Sequence, residues 1–123
     1  MSARKSLAGL TVLVLEDDYY VADDTRIALE AAGASVLGPC AAATRALALA
    51  ERTPPDCALV DINLGDGADF SAAKHLLELG VPVVFMTGYG ADVIPAALSD
   101  LPCLQKPAAA QKIVDAAASA CGR

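Results

Sequence analysis

Polar side chains suited to phosphate and metal chemistry stand at the ends of four apolar runs. Two of these runs lead into carboxylates, one into a threonine and one into a lysine. In chain order, the residues are Glu16, Asp17, Asp18, Asp61, Thr87, Gly88, Lys106 and Pro107. In an open parallel sheet, functional residues gather beyond the carboxyl ends of the strands. If the runs are strands of one such sheet, we expect these side chains to meet at one edge.

Three or more carboxylates at one point imply a bound cation. Such groups repel one another and raise one another's pKa unless a positive charge neutralises them. Because the candidate ligands are few and all are oxygens, Mg²⁺ with several bound waters fits better than Ca²⁺. Asp18 can join these ligands or cap the helix that follows, and we favour the cap because Asp is preferred there.

Asp61 is a candidate nucleophile as well as a ligand. A carboxylate can attack phosphorus and form an aspartyl phosphate. Lys106 supplies a point positive charge for the transferred phosphoryl oxygens, and Thr87 supplies a hydrogen-bond donor. Gly88 is small, which leaves its own N–H accessible. Together these residues predict a Mg²⁺-dependent phosphoryl-accepting site.

The elements that would position these residues alternate along the chain. Short apolar runs separated by Ala-rich amphipathic stretches predict an α/β domain with a parallel sheet. The predicted strands cover residues 10–15, 35–38, 57–61, 81–86 and 103–105. The predicted helices cover residues 20–32, 41–52, 69–79 and 108–120. Residues 91–98 contain Pro95, so we expect a short, mobile helix that begins near Pro95 or bends there.

Composition excludes several classes of protein. The chain has 123 residues, the size of one domain, and we expect residues 1–6 to be flexible. The net charge of −6 opposes binding to nucleic acid. The apolar runs are too short to span a membrane, and no signal peptide or nucleotide-binding glycine motif is present.

The cysteines and the lone histidine indicate no metal site of their own. The four cysteines have no Cys-x-x-Cys spacing, so we interpret them as small core or surface residues of a cytoplasmic protein. His75 lies in an amphipathic stretch and is interpreted as a surface residue. Tyr19 and Tyr20 are expected to pack at the start of the first helix, with a role in kinase docking as the alternative.

Four segments of the sequence together resemble the receiver domain of bacterial two-component response regulators. They are VLEDD at 14–18, LVDINL at 59–64, FMTG at 85–88 and QKP at 105–107. The resemblance implies a doubly wound (βα)5 flavodoxin-like fold with strand order 2-1-3-4-5. We expect one receiver domain over residues 1–123 with no output domain.

The same resemblance assigns roles to individual residues. Asp61 accepts a phosphoryl group from a histidine kinase or a histidine phosphotransfer protein. Glu16, Asp17, Asp61 and the main-chain carbonyl of Asn63 hold Mg²⁺. Thr87 and Lys106 are expected to contact the phosphoryl group, and the Lys106–Pro107 peptide bond is expected to be cis. Phosphorylation is expected to pull Thr87 inward and to change the face formed by the fourth helix, fifth strand and fifth helix.

The sequence departs from the common receiver pattern at two positions. Cys103 stands where a switch aromatic is usual, and Gly65 stands where proline is common. Tyr89 is a candidate to report phosphorylation in place of the switch aromatic or to shield the acyl phosphate from water. The alternative is an ordinary, partly exposed tyrosine. Residues 84–90 are also similar to the Phe-x-Thr-Gly-Tyr signature of the alphaproteobacterial FATGUY single-domain receivers, although Met86 departs from the alanine of that subgroup.

The leading hypothesis is a single-domain response regulator that is not an enzyme beyond phosphorylation and autodephosphorylation at Asp61. Its output would be phosphate shuttling, a phosphate sink or phosphorylation-dependent binding to an unknown downstream protein. One alternative is a phosphorylation-independent interaction module. Another is a small Mg²⁺-dependent phosphohydrolase, which is disfavoured because Asn63 cannot act as a general acid. No nucleic-acid or membrane partner is expected.

Overall fold

The computed structural model describes residues 6–62, 70–88 and 94–123 of the chain. The strands are β1 Thr11–Leu15, β2 Ser35–Cys40, β3 Cys57–Asp61, β4 Val83–Thr87 and β5 Cys103–Gln105. The α-helices are α1 Tyr19–Ala31, α2 Ala43–Arg52, α3 Ser71–Glu78 and α4 Ala110–Ala120, and a 3₁₀ turn covers Ala96–Leu98. Within these ranges, no helix has both the length and the apolar character needed to cross a bilayer.

The five strands form one parallel sheet in the order β2-β1-β3-β4-β5. The predicted α/β fold and its strand order are therefore confirmed. β1 and β3 are neighbours, and Leu15 pairs with Val60. Each of these residues is followed directly by a carboxylate, so the register brings the ends of the two strands to the same level.

Helices cover both faces of the sheet. Alternate residues of β1 point to opposite sides, with Leu13 and Leu15 in one core and Val12 and Val14 in the other. The first core contains residues of α2 and α3, and the second contains residues of α1 and α4. All residues of β3 and β4 are buried, which explains their continuous apolar sequences. Each fully buried Leu or Val contributes roughly 1.5–3 kcal/mol relative to an exposed one.

β2 extends beyond its predicted end. The strand does not end at Gly38 but continues to Cys40, and its register with β1 shifts between Leu13 and Leu15. Gly38 has φ +95°, and the Gly38–Pro39 peptide bond is cis. A Cβ at Gly38 would lie 2.6 Å from the Cys40 nitrogen, so only glycine fits this bulge.

The fourth predicted helix is short and begins after Pro95, as expected, but it is a 3₁₀ turn and not an α-helix. In the part of the chain described, this stretch contains only the 3₁₀ turn Ala96–Leu98, which begins after Pro95. Proline at that position starts the turn with a fixed φ and cannot donate a hydrogen bond to a preceding turn. Several predictions lie wholly or mainly outside the described residues, namely those for residues 1–6, Asn63, Gly65, Tyr89 and the start of the fourth helix.

Candidate functional site

Three carboxylates meet at the carboxyl edge of the sheet. Glu16 and Asp17 follow β1, and Asp61 is the last residue of β3. One carboxylate oxygen of each residue lies within 4.8 Å of those of the other two. Glu16 and Asp61 are 2% and 1% exposed, whereas Asp17 is exposed. The site therefore has two buried acids and one that faces solvent.

Lys106 reaches this cluster from the end of β5. Its Nζ lies 3.0 Å from Glu16 Oε1 and 3.3 Å from Asp61 Oδ2. The backbone N–H of Lys106 donates to the carbonyl of Thr87 at 2.7 Å, which fixes the start of the loop after β5. The Lys106–Pro107 peptide bond is cis, as the resemblance implied. One ammonium group thus contacts two carboxylates on two different strands.

The electrostatics of the cluster favour an added positive charge. Burial raises the pKa of Glu16 from 4.5 to about 7; bonds from Asp18 and Lys106 oppose this rise, and the nearby Asp61 adds to it. Burial lowers the pKa of Lys106, but its contacts with Glu16 and Asp61 outweigh burial and raise the pKa above its usual value. When all three carboxyl groups are ionised, their charge and that of the ammonium sum to −3 + 1 = −2. Oxygen donors with that residual charge fit a hard divalent cation.

Asp18 uses its carboxylate for the helix rather than for the cluster. Its Oδ1 accepts hydrogen bonds from the backbone N–H groups of Tyr20 and Val21, at 3.0 and 3.2 Å. Its own N–H donates to Glu16 Oε2 at 3.0 Å. The predicted N-cap is confirmed. The same turn therefore starts α1 and orients the carboxylate of Glu16.

Thr87 and Gly88 lie at the end of β4, beside β3. Thr87 is buried, and its neighbour Met86 pairs with Asp61 in the sheet. Gly88 is exposed, and a Cβ placed there would meet no other described atom within 4 Å. The strand order thus brings both residues to the edge that carries the acids.

Cys103 stands on β5 opposite Phe85 and is half-buried against the core. Its side chain therefore occupies a packed position and not an open surface. Burial raises the pKa of its thiol, which disfavours the thiolate.

A cleft of about 580 Å³ adjoins the acidic cluster, and sequence reasoning did not predict it. Its lining includes Glu16, Asp17, Tyr19, Gly38 and Pro39. The β2 bulge forms one wall, and its signal in the sequence was a Gly-Pro pair inside a strand.

Tyr19 and Tyr20 are 73% and 78% exposed, with their rings edge to face at 5.5 Å. The expected packing of this pair at the helix start is wrong. The reason is that the buried residues of α1 begin only at Ala22. His75, by contrast, is at the surface as predicted, 3.4 Å from Glu51.

Comparisons with known proteins agree with this geometry. A family model described as the response regulator receiver domain matches residues 12–118. The phyllosphere-induced regulator PhyR of Methylorubrum extorquens is 36% identical over 81 residues, which are 63% of this chain and 30% of PhyR. The chain thus spans less than a third of the length of that relative.

Two solved structures extend the comparison. The signal receiver domain of a modulated diguanylate cyclase from Desulfovibrio desulfuricans G20 has a TM-score of 0.81 and 30% identity, over 92% of this chain and 94% of that one. SdrG from Sphingomonas melonis Fr1 has a TM-score of 0.78 and 28% identity, over 96% and 98% of the two chains. The similarity to both covers almost the whole length of each chain.

Proposed function

Because this chain belongs to the response regulator receiver domain family, we propose that it is a phosphorylation switch in which Asp61 accepts a phosphoryl group. The observation that carries the proposal is the contact of Lys106 Nζ with both Glu16 and Asp61, at 3.0 and 3.3 Å. A lysine so placed offsets the charge of the nucleophile and of the incoming phosphoryl oxygens. The same contact orients the carboxylate of Asp61.

The donor in this proposal is a phosphohistidine of a histidine kinase or a histidine phosphotransfer protein. An oxygen of Asp61 forms a bond to phosphorus, and the P–N bond to the donor histidine breaks. The electron pair of that bond leaves with the histidine. Thr87 and the N–H of Gly88 then donate hydrogen bonds to the phosphoryl oxygens, since both residues lie at the same edge of the sheet.

Glu16, Asp17 and Asp61 are the residues that would hold Mg²⁺. The proposal is supported by the three carboxylate oxygens, which lie within 4.8 Å of one another, and by the position of Asp61 beside Glu16, which adds to the rise that burial causes in the pKa of Glu16. When bound, the ion would neutralise the acids and the phosphoryl oxygens. The residues of the chain itself orient the nucleophile and exclude water, because Glu16 and Asp61 are buried.

The experiment is intact-mass spectrometry after incubation with acetyl phosphate, with and without Mg²⁺. We expect wild type to gain one phosphoryl group only with Mg²⁺, and Asp61→Asn to gain none. Asp24→Asn is the matched control, because it makes the same change at an exposed carboxylate of α1. Equal labelling of wild type and Asp61→Asn would overturn the assignment of Asp61. No labelling of any form would favour a phosphorylation-independent module.

A further inference from the structure

Two cysteines that are far apart in the sequence meet at the opposite edge of the sheet. Cys57 is the first residue of β3, and Cys121 follows the last turn of α4, 121 − 57 = 64 positions later. Both belong to the core between the sheet and helices α1 and α4. Their separation in sequence concealed this pair, because cysteine spacing reports only local motifs.

Both cysteines approach the same carbonyl group. Cys57 Sγ lies 3.8 Å from the Ala117 oxygen, and the backbone N–H of Cys121 donates to that same oxygen at 3.0 Å. The Cys57 sulfur therefore lies beside the last turn of α4, directly before Cys121 in the chain. Both cysteines are reduced in this structure.

We propose that Cys57 and Cys121 form an intramolecular disulfide under oxidising conditions, which ties the end of α4 to the start of β3. This inference does not depend on the phosphorylation proposed for Asp61. The site differs from an ordinary buried thiol because one partner is accessible. Cys57 is fully buried, whereas Cys121 is half-buried at the helix end and can meet a small oxidant.

The reaction uses a peroxide as the oxidant. The Cys121 sulfur attacks one oxygen of the peroxide, the O–O bond breaks, and Cys121 becomes a sulfenic acid with release of water. The Cys57 sulfur then attacks the Cys121 sulfur, forms the S–S bond and displaces a second water. Two thiols thus lose two hydrogens and two electrons in total.

Burial sets the rate of this chemistry. It raises the pKa of both thiols, most strongly that of Cys57, so the thiolate is scarce at neutral pH. We therefore expect slow oxidation that is faster in mildly alkaline buffer. The product would connect the strand that ends at Asp61 with the helix that follows Lys106, and would prevent the last turn of α4 from fraying.

Peptide mapping tests the proposal directly. Trypsin cuts after Arg52, Lys74 and Lys112, so the two cysteines lie on separate peptides, residues 53–74 and 113–123. Neither peptide contains another cysteine. After treatment of the full chain with hydrogen peroxide at pH 8.5, we expect these two peptides as one linked species that a reductant separates. The intact monomer would be lighter by about 2 Da, the mass of two hydrogens.

Cys121→Ser is the principal variant, because its side chain is half-buried and the change is small. Cys103→Ser is the matched control at another half-buried thiol. Wild type and Cys103→Ser should form the link and show a higher urea midpoint when oxidised than when reduced. Cys121→Ser should show neither effect. The proposal fails if Cys121 stays reduced, is oxidised beyond the sulfenic acid or links to another cysteine while residues 53–74 remain unlinked.

Discussion

Replacing Lys106 with methionine should destabilise the metal-free protein strongly at pH 8. The ammonium lies 3.0 Å from Glu16 and 3.3 Å from Asp61, and the side chains of these acids are only 0% and 1% exposed. Removing one partner of a buried ion pair costs about 3–5 kcal/mol because a buried charge is left uncompensated. Lys106 is itself 18% exposed, so we expect the lower end, about 3 kcal/mol. Methionine keeps most of the side-chain volume.

The loss of unfolding free energy in Lys106→Met should be smaller at low pH. Glu16 already has a pKa of about 7, so a protonated Glu16 relieves the repulsion near pH 5. Urea unfolding at pH 8 and pH 5, without metal, measures both values. Lys112→Met is the control, because Lys112 is exposed on α4 and such surface changes stay within about 0.5 kcal/mol. If Lys106→Met and Lys112→Met lose the same stability at pH 8, the electrostatic reasoning is refuted.

Three further predictions use the same unfolding assay. Folding raises the pKa of Glu16 from 4.5 to about 7, so the contribution of Glu16 to the free energy of unfolding is greatest below pH 4.5 and is lost as pH rises through about 7. Mg²⁺ should suppress this loss. An equal loss with and without Mg²⁺ would contradict the proposed metal site. Gly38→Ala should lower the free energy of unfolding by about 1–3 kcal/mol, because Gly38 has a positive φ and an added Cβ would lie 2.6 Å from the Cys40 nitrogen. Gly122→Ala should cost less, because Gly122 also has a positive φ but its added Cβ would meet no other described atom within 4 Å. Asp18→Ala should cost about 1 kcal/mol by removing the cap of α1, whereas the same change at the exposed Asp24 should cost less; equal costs would show that the cap is not stabilising.

The strands were predictable because their signal is local. Strands buried on both faces are continuous apolar runs, so the bounds of β3 and β5 agree with the prediction and those of β1 and β4 differ by no more than two residues at either end. The cap at Asp18 was predictable for the same reason, since it depends on residues within one turn of α1. Helix bounds were less accurate because Ala-rich ends carry little periodic signal.

The order of the strands was not a local property and came from the resemblance to receiver domains. Without it, the sequence predicted that Glu16, Asp61 and Lys106 share an edge, but not which of them touch. The contact of Lys106 with Glu16, across 90 positions of the chain, depends on how β4 separates β3 from β5. Distances of this kind are fixed by strand order and register, which no local pattern contains.

By itself, the sequence determined the apolar runs, the carboxylates that follow them and the glycine and proline positions that end each element. Only the tertiary structure decided what those residues meet. It turned the Gly38-Pro39 pair into a bulge beside the acidic cluster, left Tyr19 and Tyr20 exposed, and brought Cys57 to the carbonyl that Cys121 also contacts. The physical reason is that secondary structure follows from steric and periodic preferences over a few residues, whereas these contacts require the packing of the whole sheet and its helices.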